Sequence, residues 1–225
     1  MSALPITHSP QRRDSSLRRF AAVSMAGALI ASTLAFAPPS ADAQGATCLG
    51  RTATIVGTSA AERITGTTGP DVIIGGGGAD VIFGLAGDDV ICGGAGANEI
   101  FGGNGNDILQ GGGVVDRLRG GPGNDIIRGG PGNDNILAGD GFDRVFGDRG
   151  HDYMEGQGGV DQLNGGDGAD LLVGGPGDDL LVGNAGNDRL FGNNEADRLI
   201  GGPGVDRLHG GSGDDVLQGL SLIHI

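Results

Sequence analysis

Carboxylate side chains recur at a fixed interval along most of this sequence. From Glu62 onward an acidic or amide residue stands at every ninth position, and sixteen of these eighteen residues are aspartate. Aspartate oxygens are hard donors, which suit a cation such as calcium that takes roughly six to eight oxygen ligands. The candidate metal ligands are Asp71, Asp80, Asp89, Asp107, Asp116, Asp125, Asp134, Asp143, Asp152, Asp161, Asp170, Asp179, Asp188, Asp197, Asp206 and Asp215.

These carboxylates occupy position six of a nine-residue repeat that runs from Gly57 through Gln218 without an insertion. In its eighteen units, position one is Gly seventeen times, with Ala138 as the exception, and position four is Gly fifteen times. Position eight is apolar in every unit. A pattern that stays in phase over this length excludes a featureless Gly-rich linker.

Each column of the repeat predicts a local conformation. Gly at positions one and four permits φ > 0 and predicts a tight turn that brings backbone carbonyls close to one another. Position eight predicts the middle of a three-residue strand, with its side chain inward and those of positions seven and nine outward. One such strand cannot bury itself, so we expect the units to stack.

Several units, such as GGGGADVIF (75–83), GGNGNDILQ (102–110) and GGPGNDIIR (120–128), resemble the hemolysin-type, or RTX, calcium-binding repeat. Eight units carry the complete Gly-Gly-x-Gly-x-Asp turn. The resemblance implies an all-β fold, a right-handed parallel β-roll (a β-solenoid) with two repeats per coil. It also implies several Ca²⁺ ions, each held by position-six carboxylates and turn carbonyls from repeats n and n+2.

A coil of two repeats would bring like charges close together. Asp107, Asp125 and Asp143 would form one column at strand spacing, roughly 4.8 Å. Neighbouring carboxylates at that distance repel by about 1 kcal/mol in water and by ~3.5 kcal/mol at an effective dielectric constant of about 20. We therefore expect the chain to need calcium in order to fold, at the millimolar concentrations found outside cells.

The two columns are not expected to bind equally. Asn98 and Glu62 both fall in odd-numbered repeats, as does the turn of the seventh repeat, where Val114 replaces Gly. A neutral amide attracts a cation less than a carboxylate does. We expect the even-numbered column to fill first in the N-terminal half of the repeat array.

Composition limits the classes of partner. The sequence has 28 acidic residues against 14 basic ones, a formal net charge of −14, which disfavours nucleic acid and anionic lipid as partners. Fifty Gly and 4% aromatic residues argue against a conventional globular core. Calcium ions are the expected partner, and a protein or cell-surface partner is left open.

Catalysis is not expected. The four histidines show neither the spacing of a zinc protease nor a nearby nucleophile elbow, and we read those within the repeats as surface residues. They are His8, His151, His209 and His224.

The first 43 residues have the order of a secretory signal peptide. A basic region containing Arg18 and Arg19 precedes an apolar run over 20–37, and Ala41-Asp42-Ala43 offers a cleavage site. The alternative is an uncleaved membrane anchor. We expect a secreted, extracellular protein whose mature chain has no apolar run long enough to span a membrane.

Residues 44–56 read as an N-terminal segment and cap, with Ile55 where position eight would fall. In an exported chain, Cys48 and Cys92 predict a disulfide between this segment and the fourth repeat. A lipid-modified Cys48 and ligation of a metal by the two thiols are the alternatives.

Two features leave a second function open. Phe83 and Phe101 lie eighteen residues apart, so they would stack on one outer face, either as a cap over a thin sheet or as part of a surface adhesin. Residues 219–225 form an incomplete repeat whose last letters resemble a translated sequencing adapter. We therefore also consider the repeat region of a longer secreted exoprotein.

Overall fold

The structure is a computed structural model that describes residues 45–219. The predicted signal peptide over 1–43 and the last letters of the incomplete repeat lie outside the described residues. Within 45–219 the chain forms strands and turns, and no helix there is long and apolar enough to cross a membrane.

Short strands follow one another along the described chain, most of them five to seven residues long. They are β1 (Thr47–Cys48), β2 (Arg51–Thr52), β3 (Ile55–Val56), β4 (Arg63–Thr65), β5 (Val72–Gly76), β6 (Val81–Ala86), β7 (Val90–Gly94), β8 (Glu99–Asn104), β9 (Ile108–Gly112), β10 (Arg117–Pro122), β11 (Ile126–Pro131), β12 (Asn135–Gly141), β13 (Arg144–Arg149), β14 (Tyr153–Gly159), β15 (Gln162–Asp167), β16 (Leu171–Pro176), β17 (Leu180–Ala185), β18 (Arg189–Asn194), β19 (Arg198–Ile200), β20 (Arg207–Ser212) and β21 (Val216–Gln218).

From β3 onward the strands alternate between two parallel sheets. Sheet 1 contains the nine strands of the odd-numbered repeats, every second strand from β4 to β20. Sheet 2 contains ten strands, every second strand from β3 to β21, and all but β3 come from the even-numbered repeats. Each strand pairs with the one eighteen residues further on, as Leu118 does with Ile136 and Ile127 with Val145. Two repeats therefore form one coil, and the predicted parallel β-roll is confirmed.

The core consists of the position-eight side chains. Those of both sheets form a single buried cluster, in which most members have no exposed surface, because the pleat turns positions seven and nine to the outside. Its position-eight members are Ile64, Ile73, Ile82, Ile91, Ile100, Leu109, Leu118, Ile127, Ile136, Val145, Met154, Leu163, Leu172, Leu181, Leu190, Leu199 and Leu208.

Most strands are longer than the three residues predicted. In β10 and β12 the pairing covers positions seven to nine, skips position one, and resumes where Gly121 lies opposite Gly139. Successive turns lie in the same parallel register as the strands, so the turn backbone can pair with the coil above it. The three-residue prediction took account of one repeat at a time and missed this pairing.

Position one does not adopt the positive φ that its Gly permits. Positive φ occurs at position four and at position two, as in Gly123 and Gly121 of the eighth repeat. Gly102, at position one, has no positive φ, but a Cβ there would overlap the side chain of Asp107 and the carbonyl oxygen of Gly120. Position one favours Gly because its inward side has little room for a side chain, and the one exception, Ala138, carries only a methyl group, which is buried in the core.

The N-terminal segment is attached to sheet 2. Strands β1 and β2 form a short antiparallel pair, and β3 extends sheet 2 with Ile55 opposite Ile73. The buried Cys48 is joined to Cys92 by a disulfide, with their Cα atoms 5.9 Å apart. The predicted pairing of these two cysteines is therefore present in the structure.

Candidate metal centre

The position-six residues form two columns, one along each edge of the roll, at the turns that lead into sheets 1 and 2. Fifteen of the sixteen candidate aspartates are buried, and Asp215 in the last coil is half-buried. The odd column contains Asp80, Asp116, Asp134, Asp152, Asp170, Asp188 and Asp206, together with Glu62 and Asn98. The even column contains Asp71, Asp89, Asp107, Asp125, Asp143, Asp161, Asp179, Asp197 and Asp215.

One oxygen of each carboxylate from the second coil onward is used within the column. Oδ1 of Asp107 accepts a hydrogen bond of 2.9 Å from the backbone N–H of Asp89, one coil earlier. Oδ1 of Asp125 accepts the equivalent bond of 2.7 Å from the N–H of Asp107. This chain of bonds fixes the orientation of the carboxylates and satisfies amides that would otherwise be buried without a partner.

The second oxygen of most of these carboxylates has no partner. Oδ2 is buried and accepts no hydrogen bond in fourteen residues, whereas a buried polar atom in a folded protein normally has a partner. These residues are Asp80, Asp89, Asp107, Asp116, Asp125, Asp134, Asp143, Asp152, Asp161, Asp170, Asp179, Asp188, Asp197 and Asp206.

Backbone oxygens lie close to these unpartnered atoms. Oδ2 of Asp107 and the carbonyl oxygen of Gly120 both lie within 3.0 Å of the point that a Cβ on Gly102 would occupy. Oδ2 of Asp116 and the carbonyl oxygen of Gly129 flank Gly111 in the same way. Within residues 45–219 no three carboxylate, imidazole or thiol side chains form a cluster that could hold a metal. The local donors are thus one carboxylate oxygen and carbonyl oxygens, a set that fits calcium.

The columns are electrostatically unfavourable without a cation. The pKa of Asp125 and of Asp179 is raised to about 7, chiefly by burial and also by the carboxylates one coil away, against the lowering effect of the backbone hydrogen bond to Oδ1. Burial likewise raises the pKa of Asp116 and Asp134 to about 6. A positive charge beside Oδ2 would favour the ionised form instead.

Three position-six residues depart from the pattern. Asn98 donates a hydrogen bond of 2.9 Å from Nδ2 to the carbonyl of Gly96 in its own turn. Glu62 and Asp71, in the first coil, accept hydrogen bonds from the backbone N–H groups of Thr58 and Thr67. None of the three is among the buried side chains that lack a partner.

The turn of the seventh repeat also differs, in line with its Val114. Neither Gly112 at position two nor Val114 at position four has a positive φ. Its carboxylate nevertheless keeps the common arrangement, because Oδ1 of Asp116 accepts a bond of 2.7 Å from the N–H of Asn98 and Oδ2 is unpartnered.

A second set of bonds between coils, at position five, was missed by the sequence analysis. Oδ1 of Asn106 accepts a bond of 2.9 Å from the N–H of Asn124, and Oδ1 of Asn124 accepts one of 2.8 Å from the N–H of Phe142. Nδ1 of His151 accepts the same kind of bond from the N–H of Ala169. The frequent occurrence of Asn and Asp at position five was the signal available in the sequence. The bond from Ala169 shows that His151 takes part in the same structural contact.

The outer face of sheet 1 carries the predicted aromatic stack. The rings of Phe83 and Phe101 are parallel, with centroids 4.8 Å apart. The guanidinium groups of Arg63 and Arg119 lie 4.3 Å and 5.2 Å from the centroids of the Phe83 and Phe101 rings. Each ring therefore stacks on the other ring and makes a cation–π contact with an arginine of the same chain.

Comparison with known proteins identifies the repeat. The profile of the RTX calcium-binding nonapeptide repeat matches seven overlapping segments, 56–91, 90–118, 110–145, 128–163, 137–172, 164–199 and 191–221. No curated protein matches the chain. The matched segments span the two carboxylate columns and nearly all of both sheets, and the chain therefore belongs to the family of RTX calcium-binding nonapeptide repeat proteins.

Proposed function

We propose that this protein is an extracellular calcium-binding protein whose β-roll folds when Ca²⁺ ions occupy the space beside the unpartnered Oδ2 atoms. The fourteen buried oxygens without a hydrogen-bond donor carry this proposal. Leaving a buried acceptor unsatisfied costs about 1–3 kcal/mol, and more when the group is charged. The same cost recurs in every coil from the second onward.

The proposed ligands are the fourteen aspartates with unpartnered Oδ2 atoms, with Asp215 continuing the even column in the last coil. Each ion would also take carbonyl oxygens of position one, since Gly120 presents its carbonyl beside Oδ2 of Asp107. Calcium tolerates a carbonyl-rich, irregular set of ligands, whereas Mg²⁺ requires a tighter octahedral one. The geometry therefore favours calcium over magnesium.

Secretion is part of the proposal because sites of this kind need the calcium concentration found outside cells in order to be occupied. Open turn sites of this kind belong to the extracellular modules that bind calcium with a Kd of about 10⁻⁴–10⁻³ M. The signal-like order of residues 1–43 supports the same compartment. A chain that stays unfolded until it meets calcium would also be suited to export in an unfolded state.

The adhesin alternative has weaker support. The Phe83 and Phe101 rings stack on each other, and Arg63 and Arg119 lie against the two rings. A partner binding there would have to displace these contacts.

Calcium-dependent folding can be measured by circular dichroism on the chain from Gln44 onward. We expect a coil spectrum in decalcified buffer, a β spectrum after calcium is added to millimolar concentration, and no such change with magnesium. A complete β-roll in excess chelator would refute the proposal.

A further inference from the structure

The position-six carboxylates of the first coil have hydrogen-bond donors at the oxygen that is left unpartnered in later coils. Oε2 of Glu62 accepts a hydrogen bond of 2.7 Å from the N–H of Thr58. Oδ2 of Asp71 accepts two bonds, 2.6 Å from the N–H and 2.9 Å from the hydroxyl of Thr67. From Asp80 and Asp89 onward the equivalent Oδ2 is unpartnered. In the first coil, threonine N–H and hydroxyl groups therefore occupy the place beside the second carboxylate oxygen that has no protein donor in later coils.

The other oxygen of Asp71 is satisfied from the N-terminal segment. Residues 48–56 do not form a full repeat, and the N–H of Ala53, eighteen residues before Asp71, is bonded to the carbonyl of Ala46 at 2.9 Å. The hydroxyl of Thr54 lies 3.2 Å from Oδ1 of Asp71 instead, and 3.1 Å from the carbonyl oxygen of Val72, so its one proton is shared between these two acceptors. Oδ2 of Asp71 thus has two donor groups of Thr67, and Oδ1 has the hydroxyl of Thr54 within reach.

The first two turns also differ from most later ones in backbone conformation. From the third repeat onward position two has a positive φ in every repeat except the seventh, even where the residue is Leu85. Thr58 and Thr67 occupy position two in the first two repeats, and neither has a positive φ. In these two turns the N–H of position two bonds the carboxylate of its own turn. The seventh repeat also lacks a positive φ at position two, but Oδ2 of Asp116 has no donor there, so this donor contact is specific to the first two turns.

We infer that the first coil is a metal-free cap and that the series of calcium sites begins in the second coil, at Asp80 and Asp89. The inference rests on the proposed function, because it assumes that calcium binds beside the unpartnered Oδ2 atoms. A stacked solenoid needs an end that does not depend on a further neighbour. The threonine donors and the Cys48–Cys92 disulfide together provide such an end.

A crystal structure of the calcium-loaded chain, with anomalous scattering used to locate the ions, tests the cap directly. We expect ions within calcium–oxygen bonding distance, about 2.3–2.6 Å, of Oδ2 of Asp80 and Asp89. We expect none at that distance from Asp71 or Glu62. An ion bound to Oδ2 of Asp71 would overturn the inference.

A matched pair of variants gives a solution test, because Asp71 and Asp89 are adjacent in the even column. Native mass spectrometry should count at least one ion fewer in Asp89→Asn than in the wild-type chain. Asp71→Asn should retain the full number of ions and lose only thermal stability, and Thr67→Val should do the same because it removes a donor to Asp71.

The outcomes separate the two proposals. If the wild-type chain binds no calcium, the proposed function fails and the inference fails with it. If the wild-type chain binds calcium and Asp71→Asn loses an ion as Asp89→Asn does, calcium binding stands and the metal-free cap is wrong. Should Asp89→Asn fail to fold, the ion positions in the wild-type crystal still decide between the two.

Discussion

Nδ2 of Asn98 donates a hydrogen bond of 2.9 Å to the carbonyl oxygen of Gly96, two residues earlier in the same turn. One coil further on, Asp116 leaves Oδ2 at the equivalent place without a partner. The amide thus replaces a carboxylate oxygen and also engages a carbonyl of the turn. This relationship supports the expectation that the site beside Asn98 binds calcium weakly.

Asn98→Asp should therefore have opposite effects in the two states of the protein. With saturating calcium we expect the Tm to rise, because the new carboxylate adds a charged ligand. Without calcium the variant should be less able to fold, because the new Oδ2 is buried without a donor. Thermal melts over a calcium series would measure both. Asn133→Asp is the control, since it makes the same charge change at an exposed position five and keeps the oxygen that accepts from the N–H of His151, and an equal response there would contradict the explanation.

Asp107→Ala should lower the calcium-loaded Tm more than Asp80→Ala does. Asp107 lies between Asp89 and Asp125 in the unbroken even column, whereas the N–H of Asp80 is bonded to Oδ1 of Asn98, whose site is already weak. We therefore expect the loss of the Asp80 carboxylate to reduce the calcium-dependent stability less than the loss of the Asp107 carboxylate does. The two melts are compared side by side at saturating calcium, and a larger loss for Asp80→Ala would contradict the weak calcium site proposed beside Asn98.

Gly123→Ala should destabilise the roll by at least about 2 kcal/mol. Gly123 has a φ of +141°, and a Cβ would overlap the carbonyl oxygen of Gly105 one coil earlier. Gly113→Ala is the matched control, because no atom lies within 4 Å of its Cβ position and its φ is not positive. Urea unfolding at saturating calcium compares them. Equal midpoints would mean that the turns can move apart more easily than the structure indicates.

Leu85→Gly should stabilise the protein by about 0.5–1 kcal/mol, a net of relieved backbone strain and the greater freedom of Gly in the unfolded chain. Leu85 has a φ of +86° at position two, and its side chain is 43% exposed, so little apolar burial is lost. Asn184→Gly, at the same position, should give no gain. Asn tolerates this conformation, and Asn184 also bonds Oδ1 of Asn164. A Tm increase confined to Leu85→Gly is the expected result of a thermal melt.

Lower pH should favour the calcium-free roll and weaken calcium binding. In the folded chain, burial raises the pKa of Asp125 and Asp179 from an ordinary value of 3.8 to about 7. Protonation therefore stabilises the calcium-free fold. This stabilisation is complete below about pH 4 and is lost as the pH rises through about 6–7. Circular dichroism of decalcified protein should show more β structure near pH 4 than near pH 8. The calcium midpoint should increase as pH falls from 8, and a constant midpoint would contradict the ionised-carboxylate site.

Much of the architecture can be predicted from the sequence because the residue types within each unit of the repeat indicate which side chains point into the core. Position eight is apolar in every unit, and the alternation of a strand turns that side chain inward, which is where Ile73, Leu118 and Leu181 lie. The even cysteine count in a chain with a signal-like leader also predicted the pair that the structure joins. These properties depend on residues within one unit or on composition.

The tertiary structure decided which carboxylate oxygens are available to a cation, because their partners come from another coil. Asp71 and Asp89 occupy the same position of the repeat, yet Thr67 and Thr54 satisfy Asp71 while Oδ2 of Asp89 is unpartnered. Position one shows the same dependence. A Cβ on Gly102 would overlap the carbonyl of Gly120, eighteen residues away, as well as Oδ2 of Asp107 in its own unit, and the φ of Gly102 is not positive. A pattern nine residues long cannot express contacts that exist only when two coils are stacked.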